Sequence, residues 1–250
     1  MLLSLRWKIN MAIDYLYFQI FSNVITNLRK EGKKDNIKLG CLSYPDLIVP
    51  IKIIEDHYPN LSKENIKTRP DRESIKKWHG IKSEEDILDT DDFFNKIGCE
   101  AEYFDYKKIR GDEIVVDLNQ PIPESYHGNY DCVIDTGTLE HCFNVSTAFI
   151  NMCKLAKSDN GVLLTAAPMN KMNHGFWNFS PCLYADFIEQ NNFILLYLGA
   201  YCVENAEIKQ IEISKDLRFR GQTESIIYCI FRKQKNSTYN FPIQKKYLNQ

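Results

Sequence analysis

Several features that mark common classes of protein are missing from this 250-residue sequence. The eight cysteines include no Cys-x-x-Cys pair, so the spacing typical of a structural zinc site is absent. No apolar run is long enough to span a membrane. The 31 basic residues do not outnumber the 33 acidic ones, and the net charge is -2. With no basic excess, the chain lacks the electrostatic signature of a nucleic-acid-binding protein.

Two further absences concern targeting and cofactor binding. Arg6, Lys8 and Asp14 interrupt the apolar residues at the start of the chain, and no small-residue cleavage site follows, so the sequence does not predict a secretion signal. No Gly-x-Gly-x-x-Gly motif follows any predicted strand, which counts against a dinucleotide-dependent dehydrogenase. We expect a soluble, cytoplasmic protein with reduced thiols.

The composition is that of a chain with a sizeable core. Hydrophobic residues make up 44% and aromatic residues 12%, and 250 residues suffice for one full α/β domain. We therefore predict a single domain over 1–250. Within it we predict an amphipathic N-terminal helix inside 1–32, a polar insertion or lid at 50–83, and a polar tail at 234–250.

The most informative stretch runs from Asp112 to Pro181. Two short β-branched runs end at acids, Asp117 and Asp135, and a third run covers 161–168. Between the second and third runs, Asn144 begins a pattern of helical periodicity. This order of strand, strand, helix and strand predicts an open parallel sheet. Ligands bind such sheets outside the carboxyl ends of the strands.

The rest of the chain supplies the remaining strands. The predicted strands are Ile37–Cys41, Cys99–Asp105, Phe193–Leu198 and Ser225–Phe231. Further helices are predicted after Thr90 and from Pro181, each at a residue typical of a helix start. Residues 204–224 read as a charged connection between the last two strands.

Three motifs in this order resemble those of a known family. They are Asp-Leu-Asn-Gln-Pro-Ile at 117–122, Gly-Thr-Leu-Glu-His at 137–141 and His-Gly-Phe-Trp-Asn-Phe-Ser-Pro at 174–181. The sequence resembles the class I S-adenosylmethionine-dependent methyltransferases, in particular small bacterial members associated with surface-polysaccharide biosynthesis. The resemblance implies a Rossmann-like, seven-stranded, mostly parallel sheet with helices on both faces and an antiparallel last strand beside the fifth.

The resemblance also implies a function and a cofactor. The expected enzyme uses S-adenosyl-L-methionine, releases S-adenosyl-L-homocysteine and O-methylates a sugar or a nucleotide-activated or phosphorylated precursor of a surface polysaccharide. The implied cofactor residues are Gly40, Cys41 and Ser43 after the first strand, Asp105 at the ribose, Asp117 and Leu118 at the adenine, and Asp135 and Thr136 near the sulfonium. Leu42 and Tyr44 stand where the family has further glycines.

The acceptor is expected near the loop from Asn173 to Pro181, where aromatic and polar groups alternate as in many small-molecule pockets. A histidine can accept a proton at neutral pH, so we predict His174 as the general base and His141 as the alternative. The predicted acceptor-binding residues are Asn173, Trp177 and Asn178 in this loop, and Arg72, Lys76 and Trp78 in the insertion. No matching carboxylate cluster is recognisable in the sequence, so no metal site is predicted.

Two other readings stay open at this point. The departure from the glycine-rich loop is compatible with a catalytically inactive methyltransferase fold that serves as a binding protein. Another nucleotide-dependent α/β enzyme, such as a nucleotide-sugar dehydrogenase, is the second alternative. Titration with S-adenosylmethionine and with NAD distinguishes the three.

Overall fold

Strands and helices follow the apolar runs of the sequence closely. The computed structural model describes residues 12–33, 36–82, 86–205, 207–213 and 223–248. The helices are α1 (Tyr15–Lys30), α2 (Ile51–His57), α3 (Arg72–His79), α4 (Thr90–Lys96), α5 (Val145–Leu155), α6 (Pro181–Gln190) and α7 (Lys245–Leu248). The strands are β1 (Ile37–Leu42), β2 (Cys99–Asp105), β3 (Ile114–Val115), β4 (Cys132–Asp135), β5 (Val162–Asn170), β6 (Ile194–Glu204), β7 (Glu207–Ile211) and β8 (Ser225–Arg232).

The strands form one sheet with the order β3-β2-β1-β4-β5-β8-β6-β7. The first five strands in this order are parallel to one another. Strand β8 runs antiparallel to both β5 and β6, as expected for the last strand. The predicted class, a Rossmann-like, mostly parallel α/β sheet, is confirmed.

The strand count differs from the prediction. Within the described ranges the sheet has eight strands rather than seven, because β7 pairs antiparallel with Ala200–Glu204 of β6. This strand lies inside the segment 204–224, which the sequence predicts to be a connection. The alternation of Glu207, Lys209 and their apolar neighbours suits a short edge strand, where charged side chains can face water. Part of that predicted connection, and residues 1–11 of the range predicted to hold the N-terminal helix, lie outside the described residues.

Helices cover both faces of the sheet. Alternate residues of a strand point to opposite faces, and β4 shows this directly. Cys132 and Ile134 pack in the core that includes α1 and α4, while Val133 packs in the core that includes α5 and α6. Because both faces are buried, the central strands read as continuous apolar runs in the sequence.

Helix α1 lies on the first of these faces. The Asp14 side chain caps its first turn by accepting from the backbone N–H of Tyr17 at 2.9 Å. Phe18, Phe21 and Ile25 recur at helical spacing and are fully buried. The spacing of apolar residues in the sequence thus reflects the packing of this helix on the sheet.

The segment 50–83, which the sequence predicts to be an insertion, contains helices α2 and α3, and a buried arginine is among its contacts with the rest of the fold. Arg69 is buried and donates to Asp71 at 2.9 Å, to Asp89 at 3.3 Å and to the carbonyl of Arg110 at 2.9 Å. Arg110 follows β2, so Arg69 fixes the insertion next to the carboxyl end of that strand.

The start of α4 corrects one sequence prediction. Its N-cap is Asp89, which accepts from the backbone N–H of Asp92 at 2.9 Å. Thr90, the predicted cap, instead donates its hydroxyl to the buried carbonyl of Pro45 at 2.6 Å. A carboxylate and a hydroxyl are both good caps, and here the hydroxyl is used to hold the turn after β1.

The tail after β8 is held by a buried asparagine. Asn191 accepts from the backbone N–H of Asn240 at 2.6 Å and donates to the carbonyl of Asn240 at 2.9 Å.

All eight cysteines are free thiols. None of the helices among the described residues is long and apolar enough to cross a membrane.

Candidate active site at the carboxyl ends of the strands

The chain order reverses on either side of β1, which pairs with β2 on one edge and with β4 on the other. In open α/β sheets such a switch point leaves a crevice outside the carboxyl ends of the strands, and ligands bind there. Three strands end at this crevice: β1 at Leu42, β2 at Asp105 and β4 at Asp135. The fold alone therefore locates the candidate site.

The turn after β1 has an unusual backbone. Ser43 has a φ of 64°, in the left-handed region that favours glycine. Its backbone N–H donates to the carbonyl of Phe104 at 2.8 Å, and its hydroxyl donates to Asp105. These bonds hold a costly conformation in place and join the ends of β1 and β2. Strained backbone of this kind clusters at ligand-binding sites.

A cavity of about 620 Å³ opens at these strand ends. Its size falls within the usual range for small-molecule and cofactor pockets. The residues that line it come from the turn after β1, the end of α3, the loop after β2, the loop after β4 and the loop after β5. They are Ser43, Tyr44, Pro45, Asp46, Trp78, His79, Asp105, Ile109, Arg110, Thr136, Gly137, Thr138, His141, Lys171 and His174.

The floor of the cavity next to β4 is built on a buried acid. Asp135 accepts from the backbone N–H of Thr138 at 2.8 Å and from the hydroxyl of Thr165 at 2.8 Å. Burial raises the pKa of Asp135, and the nearby Glu140 carboxylate raises it further. The hydrogen bonds fix the shape of the loop 136–138, which lines the cavity.

Two imidazoles that line the cavity, those of His141 and His174, lie beside a buried carboxylate that is not part of the lining. Glu140 lies in a short 3₁₀ helix, Leu139–His141, and its side chain is fully buried. Its Oε1 is 3.4 Å from Nε2 of His174 and 3.9 Å from Nε2 of His141. Within the described part of the chain, neither oxygen of Glu140 has a hydrogen-bond partner, and neither has Nε2 of His174. A buried carboxylate without a hydrogen bond is rare in proteins.

The loop that carries His174 is anchored on the same glutamate. The backbone N–H groups of Phe176 and Trp177 donate to the carbonyl of Glu140 at 2.9 and 3.3 Å. A Cβ on Gly175 would lie 2.9 Å from both Cγ and the carbonyl oxygen of Glu140. Glycine is therefore required for the loop to approach the 3₁₀ helix this closely.

Some of the sequence-predicted site residues meet in this cavity. Those that line it are Ser43, Asp105, Thr136, Trp78, His141 and His174. They come from five separate segments of the chain, so their convergence is a property of the fold. Trp78 is 82% exposed and lies at the rim.

Other predicted cofactor residues lie outside the lining of the cavity. Gly40 is inside β1, where an added Cβ would meet the ring of Tyr130 at 2.9 Å, and Cys41 is buried beside it. Asp117 is exposed and accepts from Asn119 of its own loop at 2.8 Å. Leu118 is buried in the core with α5 and α6. For Gly40 and Leu118, packing accounts for the residue type.

The remaining predicted acceptor residues are engaged near the cavity or on the outside of the insertion. Trp177 donates its indole N–H to the carbonyl of Cys142 at 3.1 Å, and Asn178 accepts from the backbone N–H of Lys171 at 2.7 Å. Asn173 is exposed with a φ of 59°. Arg72 lies 3.7 Å from Asp86 and Lys76 lies 3.8 Å from Glu73, so each of the two cations has an acidic partner.

The structure also adds residues that the sequence predictions miss. His79 Nε2 lies 3.0 Å from Asp46 Oδ2, and the same oxygen accepts from Arg110 at 3.2 Å. This contact joins α3 to the turn after β1 across the cavity wall. Arg110 follows β2, so the rule that strand ends bear ligand contacts could have identified it. Glu140 is part of a recognised motif, but its burial beside two histidines depends on the fold.

A second cavity, also of about 620 Å³, lies between α1 and the strands β6 and β8. Val162, the first residue of β5, lines it, so it opens toward the amino ends of the parallel strands. It is not at the switch point, and no pair of imidazole and carboxylate groups lines it. The cavity at the carboxyl ends is the better candidate for chemistry.

No protein-family profile matches this chain, and no curated protein sequence matches it. Solved structures that match it include a proposed methyltransferase from Bacillus halodurans, with 10% identity, a TM-score of 0.42 and coverage of 84% of this chain and 98% of that one. The N-methyltransferase NodS from Bradyrhizobium japonicum matches with 9% identity, a TM-score of 0.40 and coverage of 88% and 98%.

A proposed sarcosine dimethylglycine methyltransferase from Galdieria sulphuraria matches with 10% identity, a TM-score of 0.40 and coverage of 91% of this chain and 94% of that one. Identities this low concern the fold alone. The functional argument rests on the strand order and on the residues of the cavity.

Proposed function

We propose that this protein is an S-adenosylmethionine-dependent methyltransferase that transfers the methyl group to an oxygen of a sugar or of a nucleotide-activated or phosphorylated sugar precursor of a surface polysaccharide. The observation that carries the proposal is the cavity at the switch point. It has a strand-end carboxylate, Asp105, in one wall and the histidines His141 and His174 in another. One cavity thus offers a hydroxyl-binding end and an end able to handle a proton.

The cofactor end suits a ribose. Asp105 accepts from the Ser43 hydroxyl and, at 3.4 Å, from the backbone N–H of Lys107. A carboxylate has about four lone-pair positions, so two remain for the hydroxyls of a ribose. Thr136 and Gly137 line the part of the cavity next to β4. S-adenosylmethionine, when bound, supplies an activated methyl group, so the protein's task is to position an acceptor and help remove its proton.

The proposed acceptor can pack against exposed aromatic side chains. Trp78 lines the rim of the cavity and is 82% exposed. Phe176, two residues after His174, packs edge-on against Phe143 with ring centroids 5.5 Å apart, and its backbone N–H donates to the carbonyl of Glu140. Aromatic faces with a few convergent polar groups are typical of sites that bind small polar ligands. The surface-polysaccharide context comes from the sequence resemblance alone.

The test is calorimetric titration of the purified chain with S-adenosylmethionine, S-adenosylhomocysteine and NAD, followed by transfer of labelled methyl groups to a panel of sugars, sugar phosphates and nucleotide sugars. Micromolar binding of both adenosyl ligands and label in one acceptor class are expected. Binding without transfer to any acceptor would favour the inactive binding protein. Binding of NAD alone would favour the dehydrogenase.

A further inference from the structure

The Glu140 side chain poses an electrostatic problem that the described residues do not solve. It is completely buried, and neither of its oxygens accepts a hydrogen bond within the described ranges. A buried carboxylate without a hydrogen bond or a bound cation is costly. A positive charge bound at this position would remove the cost.

The ligand atoms around Glu140 are grouped as metal ligands are. Glu140, His141 and His174 each offer one atom, and the three atoms lie within 4.8 Å of one another. Ligands bound at about 2.1 Å to one ion are roughly 3.0–3.5 Å apart. The separation of 3.4 Å between Glu140 Oε1 and His174 Nε2 already fits. The separation of 3.9 Å to His141 is a few tenths of an ångström longer, and the His141 side chain is 51% exposed.

We infer that Glu140, His141 and His174 form a binding site for a divalent transition-metal ion at the acceptor end of the cavity. Two imidazoles and one carboxylate suit zinc, manganese, iron(II) or cobalt(II), whereas magnesium and calcium prefer oxygen ligands alone. Three protein ligands leave coordination positions open, as in catalytic sites. Because His141 and His174 line the cavity, those positions face the space where an acceptor would lie.

This inference rests on the proposed function for its consequence. A cation in this position would bind the acceptor hydroxyl and lower its pKa, so that the proton leaves to solvent. The acceptor oxygen then forms a bond to the methyl carbon, the bond between sulfur and that carbon breaks, and its electrons stay on sulfur. The products are the methyl ether, S-adenosylhomocysteine and one proton. In this scheme His174 holds the ion and is not the free base that the sequence predicts.

The backbone contacts around Glu140 support the same assignment. The carbonyl of Glu140 binds the two amides of the loop that carries His174, so the backbone positions two of the three ligands relative to each other. Gly175 allows this close approach. Metal sites depend on such supporting contacts to hold their ligands in place. Two exposed histidines with no shared role would not need these backbone contacts.

The experiment uses the full chain, stripped with a chelator and dialysed. It is titrated with cobalt(II) while the visible absorption is recorded, and with zinc(II) by calorimetry. One ion per chain is expected, with cobalt bands typical of nitrogen and oxygen ligands and a rise in the melting temperature on adding zinc. Glu140→Gln and His141→Asn should each weaken binding at least tenfold.

The controls separate a lost site from a lost fold. His127→Asn is the matched variant, because His127 contacts the carbonyl of Ile122 and does not line the cavity. It should bind cobalt as the unchanged chain does. Since Glu140 is buried, its variant could fail to fold, and circular dichroism checks this. The half-exposed His141 gives a second variant that keeps the core intact. Unaltered cobalt spectra in His141→Asn would overturn the site.

The result also distinguishes this inference from the proposed function. If the stripped chain binds S-adenosylmethionine and transfers methyl groups at full rate while neither cobalt nor zinc binds, the metal site is wrong and the function stands. If cobalt binds with the expected spectra but S-adenosylmethionine does not, the site stands and the methyltransferase proposal fails.

Discussion

Gly175 lies so close to Glu140 that a Cβ on the glycine would be 2.9 Å from Cγ of the glutamate. The contact places His174 next to the buried carboxylate, and a methyl group would force the loop away from it. We predict that Gly175→Ala lowers the free energy of unfolding by about 1–3 kcal/mol, the usual cost of overpacking. It should also weaken cobalt binding and methyl transfer.

Gly111→Ala is the control for this change, since nothing lies within 4 Å of an added Cβ there. Its melting temperature and activity should match those of the unchanged chain. A Gly175→Ala variant with unaltered stability and cobalt spectrum would show that the loop is not held by this contact.

The second prediction concerns Asp105. Asp105→Asn removes a charged acceptor at the end of β2 and keeps the shape of the side chain. The dissociation constant of S-adenosylmethionine should rise roughly tenfold to hundredfold, because a hydrogen bond to a charged group contributes about 1.5–3 kcal/mol. Calorimetric titration measures it. Asp159→Asn, an exposed change on the loop before β5, should leave the constant unaltered.

Asp117→Asn tests the predicted adenine contact in the same experiment. The sequence predicts weaker cofactor binding, and the structure gives a reason for a smaller effect, since Asp117 already accepts from Asn119 and lies outside the cavity lining. An effect larger than that of Asp105→Asn would indicate that the cofactor binds closer to the loop after β3.

The third prediction concerns the rim of the cavity. Trp78→Ala should raise the KM for the acceptor roughly three- to tenfold and leave cofactor affinity unchanged, since an aromatic stacking contact contributes about 0.5–1.5 kcal/mol. Steady-state kinetics with the acceptor found in the transfer assay measures it. Arg72 lies on the same helix, but its guanidinium pairs with Asp86. The variant Arg72→Ala is therefore the comparison for Trp78→Ala. A larger effect of Arg72→Ala would restore the sequence prediction that this arginine binds the acceptor.

The fourth prediction concerns stability at acid pH, far from the cavity. Burial alone raises the pKa of Asp131, but hydrogen bonds from Lys157, Lys33 and the backbone of Lys38 outweigh it and hold this pKa below the usual value. A carboxyl group with a lowered pKa stabilises the fold above its unfolded pKa, about 3.9. That stabilisation is lost as the pH falls through the folded-state pKa.

Asp131→Asn should therefore unfold more easily at pH 7 by about 1–3 kcal/mol. The difference from the unchanged chain should shrink as the pH falls below about 4. Denaturant unfolding at several pH values measures it. A difference that stays constant from pH 7 to pH 3 would mean that the Asp131 charge does not contribute to stability.

The strands and their ends could be predicted from the sequence because they depend on local patterns. The run that ends at Asp135 is buried on both faces and is visible in the sequence as a continuous apolar stretch. The run that ends at Asp105 instead alternates exposed Glu100 and Glu102 with more buried residues, which is also a local strand pattern. Parallel topology then brings both acids to one edge of the sheet. The position of Ser43 follows from the same rule, although its left-handed backbone does not.

The cluster around Glu140 could not be predicted in the same way. His174 lies 34 positions after Glu140 in the sequence. Long-range contacts, including the backbone bonds of Phe176 and Trp177 to Glu140, bring the loop back to the 3₁₀ helix. The sequence pattern does not show that the two histidines lie together, and it predicts no metal site. The partner of His79 was missed for the same reason, since Asp46 is far away in the sequence and close only in the fold.

The pairing of β1 with β4 has a consequence for how the chain folds. Lys38 and Asp131, which are hydrogen-bonded at this seam, are 93 positions apart. Contacts over such distances form slowly, because a long loop must close before any bond compensates for the lost entropy. On the ribosome, the Asp105 wall of the cavity emerges before the His141 wall. We therefore expect the crevice at the strand ends to assemble late, and pulse-labelling hydrogen exchange should find the β1–β4 amides among the last to be protected.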